Sequence, residues 1–341
     1  MSKILLGLDV GSQTIKAVQL SREKNKIRLL SAGFIPTPKI ESDLALRGDE
    51  QIIANSIKQL AHDMKLNTTD VSLSLPSYKV VTQVIETPMM TDRELESSIQ
   101  WEAEQYIPLP LSKVKLDYSV ISKNETTKKM KILLVAAPIS LLEKYMRIVT
   151  LAGLNTIAIE TEILASARST NNSLPTLPNI LLVSMGATNT EIAIIRDHLL
   201  TLTRTYPIGG NTLTRAVSEE LGFDFNQAEE YKKTYGIEED KLEGKLSKIM
   251  SPFFNNLFAE VDKTIVYFKE EYPKEELMTL VISGGTAKLP GLMLQTTKNI
   301  GINSQISNPF INIESDQEVL ATLNSDAPLY TTAVGLALRE S

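Results

Sequence analysis

Cysteine is absent from this chain, and histidine occurs only as His62 and His198, far apart in the sequence. No disulfide, thiolate metal site or cysteine nucleophile is available, and a histidine-based metal centre or triad has no second imidazole to build on. The missing cysteine suits a reducing cytoplasm, and each histidine is expected at the surface or at a boundary. Positive charge is also in short supply: 35 Lys and Arg against 41 Asp and Glu give a formal net charge of -6 and a pI near 5.3. With no basic stripe interleaved with aromatics, nucleic acid is not an expected partner. Long hydrophobic runs are missing too. No stretch approaches the roughly 18 uninterrupted apolar residues of a membrane span, so direct membrane insertion is not expected. The start, Met1 and Lys3 leading into a short apolar run that contains Asp9, is too short and too polar for a signal peptide. The last segment, Gly335-Leu336-Ala337-Leu338-Arg339-Glu340-Ser341, has no amphipathic basic tail, so the chain is expected to lack a membrane anchor of its own.

What is present is a soluble composition, 43% apolar over 341 residues, which exceeds a typical single domain. Two domains, or one bilobed body with an ample core, are expected. Two strand-turn-strand segments of one design occur at Leu6–Leu20 and Leu182–Ile195. The first reads Leu8-Asp9-Val10-Gly11-Ser12-Gln13-Thr14 and returns through Ile15-Lys16-Ala17-Val18. The second reads Val183-Ser184-Met185-Gly186-Ala187-Thr188-Asn189-Thr190 and returns through Glu191-Ile192-Ala193. In such a turn glycine lets the backbone approach a phosphate closely, while N–H groups and hydroxyls supply donors. One copy alone is equally an ordinary hairpin with a Gly/Asn turn. Two copies suggest two half-domains gripping one polyphosphate.

Between and beyond the hairpins the chain alternates strands and helices. A third strand is expected over Lys26–Gly33, then a Pro-containing loop over Phe34–Arg47, an amphipathic helix over Asp49–Met64 and a buried strand over Val71–Leu75. From Val80 to about Glu160 a compact block follows: strand Val80–Glu86, helix Thr91–Tyr106, strands Val114–Ser122 and Met130–Ala137, helix Ser140–Ala152 and strand Thr156–Glu160. Its Lys-rich turn, Asn124–Lys129, reads as a solvated hairpin tip. The acids Glu94, Glu96, Glu102 and Glu104 beside Trp101 fit, on composition alone, the charged outer face of a packed helix. A linker is expected at Thr170–Asn179. After it come the second turn, Pro207-Ile208-Gly209-Gly210-Asn211, and helices at Thr212–Leu221, Gln227–Tyr235 and Leu242–Tyr272, the last broken or bent near Pro252. Leu280–Ser283 is a buried strand ending in Gly284-Gly285, and Leu289-Pro290-Gly291-Leu292 opens another helix. The repeated strand-helix order implies α/β layers.

A carboxylate at the end of the first strand, Asp9, suits a hydrated Mg²⁺ near phosphates, since that ion takes hard oxygen ligands and keeps its waters. Lys16, seven residues on, could reach a terminal phosphate across the hairpin, with Gly11, Ser12, Gln13 and Thr14 as turn donors. The alternative for Lys16 is a snorkelling surface lysine. Gly186, Ala187, Thr188 and Asn189 form the corresponding second turn, with Gly209, Gly210 and Asn211 close behind. Glu229 and Lys232 share one helical face and read either as a surface ion pair or, beside a nucleotide, as partners of ribose hydroxyls. Gly284, Gly285 and Lys288 lie in a turn that would admit a purine ring, or that simply joins strand to helix.

Taken together, Asp9/Gly11/Lys16, Gly186 to Glu191, Glu229/Lys232 and Gly284/Gly285 resemble the signature segments of the actin, DnaK-type chaperone and sugar kinase superfamily, in the correct order and over nearly the whole chain. The segments Leu75-Pro76, Glu86-Thr87-Pro88-Met89-Met90, Glu102-Ala103-Glu104-Gln105-Tyr106-Ile107-Pro108-Leu109, Leu116-Asp117-Tyr118 and Ala333-Val334-Gly335-Leu336-Ala337-Leu338-Arg339 look specifically like the PilM family of actin-like type IV pilus assembly proteins, relatives of FtsA. The resemblance implies an α/β, bilobed actin-like ATPase fold of two RNase H-like domains, with an inserted FtsA/PilM-type 1C subdomain. The expected division is 1–79 as the first part of subdomain 1A, 80–160 as 1C, 161–178 returning to 1A, 179–211 as 2A, 212–276 as 2B, 277–325 as the second part of 2A, and 326–341 as a C-terminal helix returning to 1A. The implied function is a cytoplasmic ATP-binding scaffold (ATP or ADP, with Mg²⁺ at Asp9). It would hold the N-terminal peptide of the inner-membrane protein PilN in a 1A/1C groove through Trp101, Glu102, Gln105, Tyr106 and Ile107, and so sit peripherally at that membrane. Contacts to PilB and PilC, and self-association, belong to the same expectation.

One position departs from the superfamily pattern. The second phosphate loop normally opens with an Asp, and here Ser184 stands there; a hydroxyl cannot replace a carboxylate in compensating charge around Mg²⁺. By the same resemblance Glu162 falls where a water-orienting Gln or Glu sits, with Glu160 as the substitute. Nucleotide binding with slow or absent hydrolysis is therefore expected. The competing readings are an FtsA-like or MreB-like filament protein, a small-molecule kinase of the same fold, and a relative from a type II secretion machine.

Overall fold

The computed structural model describes residues 3–24, 26–38 and 47–339, so residues 39–46 of the loop expected over Phe34–Arg47 lie outside the described residues. The chain divides into two compact units. One comprises residues up to Arg168, Leu199–Thr203 and residues from Thr332 on; the other comprises Ser169–His198 and Arg204–Thr331.

The first unit begins with β1 (Lys3–Val10), β2 (Thr14–Glu23) and β3 (Lys26–Pro36), then α1 (Arg47–Asp63) and β4 (Asp70–Leu75). Helix α1 follows its 3.6-residue pattern: Ile53, Ala54, Ile57 and Leu60 are buried, and Asp49 and Glu50 in the first turn complement the helix dipole. Next come β5 (Val81–Pro88), α2 (Asp92–Glu104), β6 (Val114–Asn124) and β7 (Lys129–Pro138), followed by α3 (Ile139–Leu151) and β8 (Asn155–Thr161). Thr91 opens α2 through a reciprocal capping box with Glu94, which fixes where the helix starts. The five-stranded sheet runs β3-β2-β1-β4-β8, with β1 antiparallel to β2 and parallel to β4. Its core joins Leu6, Leu8 and Ile15 to Ile57 of α1 and to Ile148 and Val149 of α3.

Residues 80–160 do not all join one sheet. Only β5-β7-β6 form the separate three-stranded sheet, with α2 packed on it through Leu95, Ile99 and Ala103, whereas β8 pairs with β4 and α3 packs into the first core. The alternating pattern could not show this, because a strand that joins a neighbouring sheet has the same local periodicity. The tip between β6 and β7 is exposed, as expected.

Helix α4 (Glu162–Ser173) runs four residues into the expected linker, because Thr170 and Ser173 are buried and burial overrides weak helix propensity. The second unit then repeats the sheet of the first: β9 (Asn179–Met185), β10 (Thr190–Arg196) and β11 (Leu199–Tyr206), α5 (Gly210–Leu221), α6 (Phe225–Tyr235), α7 (Lys245–Glu271), β12 (Thr279–Ser283), α8 (Leu292–Asn299), β13 (Ser304–Ile306) and α9 (Gln317–Asn324), before α10 (Thr331–Ala337) returns the chain to the first unit. The second sheet's order, β11-β10-β9-β12-β13, matches that of the first. Helix α7 continues through Pro252. The expected break lies instead before Lys245, where Leu242, Glu243 and Gly244 all have positive φ. Strand β11 was not expected; the signal for it is the turn Asp197-His198, both at positive φ, as a two-residue hairpin turn requires. In the first unit α10 presents Gly335 so close to the α4 backbone that a Cβ would sit 1.8 Å from Ala165 O. Arg168 locks this arrangement by binding Glu160 and donating to Gly335 O at 2.8 Å.

Candidate functional site

In the first hairpin Asp9 faces Lys16 across the ladder, and their side chains share one side of the sheet. Lys16 Nζ donates to Asp9 Oδ2 at 2.8 Å, and Ser74 Oγ, from β4, donates to Oδ1 at 3.0 Å. Asp9 is only 3% exposed. Lys16 is thus no snorkelling lysine but one member of an ion pair beside the turn. Gly11 N donates to Thr14 O at 3.1 Å, and Thr37 Oγ1 donates to Gly11 O at 2.7 Å. A Cβ on Gly11 would meet Lys16 Nζ at 3.0 Å, so glycine keeps the ammonium against the turn. Ser12 and Gln13 are exposed at the tip, with Thr14 half-buried behind them.

The second turn is held from behind. Gly186 N donates to Asn189 O at 2.9 Å, Gly210 N to Gly186 O at 3.0 Å and Asn211 N to Ala187 O at 2.8 Å. Gly209 lies so close that a Cβ would fall 2.6 Å from Ala187 O and 2.7 Å from Asn189 N. The predicted group Gly186, Ala187, Thr188, Asn189, Gly209, Gly210 and Asn211 is therefore brought together as one backbone cradle. Glu191 was expected only as part of the second signature segment, with no role of its own. It pairs in register with Ser184, as Lys16 does with Asp9, and is 2% exposed. Ser283 of β12 pairs with Ser184 on the other side. The identical seven-residue spacing, Asp9 to Lys16 and Ser184 to Glu191, was the available signal.

Lys232 is buried, and its ammonium donates to Gly210 O at 2.9 Å, Thr214 Oγ1 at 2.7 Å and Glu229 Oε2 at 2.6 Å. Three donors meet three acceptors, so Lys232 braces the cradle and has no N–H left for a ribose. Burial lowers its pKa, with Glu229 working against that shift. Burial alone would raise Glu229, but the Lys232 hydrogen bond and charge, with Thr214 and Lys233, outweigh it and hold the carboxyl below the usual range. Gly284, at φ +86, lies against Met185 O, and Lys288 pairs with Asp326.

In the first unit Glu162 starts α4, and its Oε2 accepts from Ser77 N at 3.2 Å. Glu160, the substitute, is instead taken up by Arg168 and Arg339 in the C-terminal clasp. Tyr145 of α3 is pushed well above the ordinary tyrosine value, first by burial and then by the charge of Glu162, with Tyr78 and Asp9 adding to it.

The predicted partner residues separate. Trp101 is 75% exposed and Gln105 is exposed, while Glu102 and Tyr106 are half-buried. Ile107 is a correction: at 7% exposure it packs into the α2 core with Ile85 and Leu134, so it anchors the segment and offers no side chain to a partner. Among the described residues no helix is long and apolar enough to cross a membrane, and no cluster of three or more His, Cys, Asp or Glu is arranged to hold a metal ion.

Residues 7–341 match the family model for the type IV pilus assembly protein PilM. The chain belongs to that family. Its structure is similar to a chain of a PilM-PilN type IV pilus biogenesis complex, with a TM-score of 0.84, 24% identity and 98% of each chain covered. It is also similar to the ethanolamine utilization protein EutJ from Carboxydothermus hydrogenoformans (TM-score 0.59, 17% identity, 98% of this chain and 89% of that one). For MreB5 of Spiroplasma citri bound to AMPPNP the TM-score is 0.52, with 13% identity over 98% and 94% of the two chains. The cell division protein FtsA of Bacillus subtilis is 21% identical, covering 98% of this chain and 83% of its own length. The PilM-family chain thus has the actin-like ATPase fold, and the paired hairpins are the halves that its internal repeat supplies.

Proposed function

We propose that this protein is a cytoplasmic, ATP-binding scaffold of the type IV pilus assembly platform, held at the inner membrane by capturing the N-terminal cytoplasmic peptide of a PilN-type protein. The observation that carries the reading is the PilM family match over residues 7–341, supported by the likeness to a chain of a PilM-PilN type IV pilus biogenesis complex. Within the first unit, the peptide groove of this reading lies between the five-stranded sheet, subdomain 1A, and the β5-β7-β6 block, subdomain 1C. The exposed Trp101 supplies the aromatic anchor, since buried aromatics carry much of the energy of such interfaces. PilB and PilC are the onward partners of the same reading.

The turns suit a polyphosphate. Gly11 and Gly209 permit the close backbone packing that shapes each turn, Lys16 supplies a cation beside the first turn, and the hydroxyls of Ser12 and Thr188 are exposed at the tips. Glu229 contacts the ribose and Lys232 holds Glu229 in place; Gly284 and Gly285 admit the purine, and Lys288 with Asp326 closes that loop. Asp9 would hold Mg²⁺ through water, because its two oxygens already accept from Lys16 and Ser74. The ion would supply charge compensation for the phosphates. Glu162 is the candidate for orienting a hydrolytic water. With a neutral Ser184 at the corresponding position of the second turn, binding outlasts hydrolysis, and multiple-turnover ATP hydrolysis at an ordinary enzymatic rate would overturn that part.

Calorimetric titration with a synthetic PilN-type N-terminal peptide, with and without Mg-ATP, tests the scaffold reading. Saturable one-to-one binding that Trp101→Ala abolishes is the expected result. ATP binding without peptide binding in either nucleotide state would shift the assignment to an FtsA-like or MreB-like filament, whose self-association light scattering would reveal.

A further inference from the structure

The second turn lacks the cation of the first. Where Lys16 faces Asp9 across the first hairpin, the matching position opposite Ser184 is Glu191, a buried carboxyl side chain that offers a phosphate no cation. Positive charge reaches this turn from another direction. Gly209 caps α5 without a side chain, and the first N–H groups of the helix use the turn as their cap: Gly210 N donates to Gly186 O at 3.0 Å and Asn211 N to Ala187 O at 2.8 Å. In a trans peptide the C=O and N–H point in opposite directions, and no peptide bond among the described residues is cis. With the carbonyls of Gly186 and Ala187 turned back to α5, the N–H groups of Ala187 and Thr188 point away from the helix. Among the described residues neither N–H has an acceptor. Lys232 of α6, its side chain 7% exposed, donates to Gly210 O at 2.9 Å. Gly210 C=O and Asn211 N–H belong to one peptide group, as do Ala187 C=O and Thr188 N–H. The ammonium and these two peptides therefore form one head-to-tail chain that ends on Thr188 N–H. Each hydrogen bond in such a chain polarises the next.

We propose that Lys232 is the cation of the second turn, a positioning residue whose charge, carried through two peptide groups to Thr188 N–H, attracts a phosphate oxygen it never touches. This rests on the polyphosphate reading of the turns and adds to it which charge favours the phosphate there. All three ammonium N–H groups are already used, so the charge acts only through the backbone. Glu229 Oε2, 2.6 Å from the ammonium, tempers that charge. A structural brace and a charge relay thus differ in sign: removing the Glu229 charge loosens a brace but strengthens a relay.

Two measurements on the full chain test it, both in mildly acidic buffer, which keeps the ammonium protonated. The first needs no ligand. In TROSY spectra the Thr188 amide proton moves upfield in Lys232→Met and in Lys232→Met/Glu229→Gln, which leaves neither charge unpaired, and downfield in Glu229→Gln. The second is calorimetry with inorganic tripolyphosphate, which has no ribose for Glu229 to contact. Affinity falls about tenfold in the double variant and rises by a similar factor in Glu229→Gln, the scale of one charge at the effective dielectric of a protein surface. Shifts of one sign in all three variants, or weaker tripolyphosphate binding in Glu229→Gln, overturn the relay. Absence of tripolyphosphate binding in wild type overturns the polyphosphate reading instead, and the Thr188 shifts then decide the relay by themselves.

Discussion

The hairpins β1/β2 and β9/β10 share register, spacing and turn shape, and they differ in which strand carries the charge. In the first, the central strand supplies Asp9, which receives Lys16 from the return strand and Ser74 from β4. In the second, the central position is Ser184, the carboxylate has moved to the return strand as Glu191, and the β12 serine, Ser283, is fully buried with no hydrogen-bond partner for its hydroxyl. Loss of the central carboxylate explains the orphaned serine. The lysine has moved as well: behind the second turn a Lys-carboxylate pair reappears as Lys232 and Glu229, reaching the turn through Gly210. Two solutions to one problem result, a turn steadied by an ion pair inside the hairpin and a turn steadied by an ion pair on flanking helices.

Asp9→Ser gives the first hairpin the central residue of the second, and it is the most damaging change. It leaves the Lys16 ammonium, mostly buried, without its counterion and Ser74 without its acceptor, a loss of about 3–5 kcal/mol readable as a lower urea midpoint. Lys232→Met breaks the second solution. Glu229, half-buried, then lacks its principal partner, and a loss of about 3 kcal/mol is expected in the same measurement. Ser184→Asp runs the conversion in reverse. It offers Ser283 an acceptor but sets two carboxylates opposite one another with Glu191, and a net cost of about 1–2 kcal/mol follows. The double variant Ser184→Asp/Glu191→Lys rebuilds the first hairpin's arrangement, so a double-mutant cycle should show a favourable coupling of about 1–3 kcal/mol. Additive effects would show that the two hairpins are alike only in backbone.

The two ion pairs also differ in their pH signature. The folded-state pKa of Glu229 lies below its ordinary value of 4.5, with Lys232 the main cause of the lowering. A depressed carboxyl stabilises the fold fully above the unfolded value, and that stability is lost as pH falls through the folded one. Urea midpoints taken from neutral pH into the acid range should therefore fall less steeply below pH 4.5 in Lys232→Met than in wild type. Parallel curves would remove Lys232 from the account of the second turn.

Much of this was legible in the sequence, for a definite reason. Gly11 and Gly186 are each followed by a polar turn and a returning apolar strand, a local signal that needs no tertiary information, and the repeat of that signal carried the two-sheet architecture with it. Where tertiary context decides, legibility ended. Nothing local told β8 to pair with β4 and not with the inserted sheet, nor that Ile107, so close to the exposed Gln105 and Pro108, turns into the α2 core. Lys232 was found as a candidate, yet its saturation by Gly210, Thr214 and Glu229 depends on a fold between α5 and α6 that spacing does not encode. Glu191 is legible from the seven-residue spacing it shares with Lys16, whereas its burial opposite Ser184 depends on the strand pairing.

The smallest expected effect separates the turn tips from the charges beneath them. Thr188 is exposed, and its hydroxyl donates only to its neighbour Asn189, at 2.9 Å; Ser12 is the exposed hydroxyl of the first turn. Neither is buried, so Thr188→Ala and Ser12→Ala should each leave stability within about 0.5 kcal/mol of wild type. If both tips contact phosphate, each substitution still removes a hydrogen bond to a charged group, and ATP affinity measured by calorimetry should fall about tenfold in each. An equal loss from both would mean that the hairpins grip phosphate alike despite their different charges. A loss from Ser12→Ala alone would make the first turn, with Lys16 against it, the phosphate-binding half and the second a backbone cradle only.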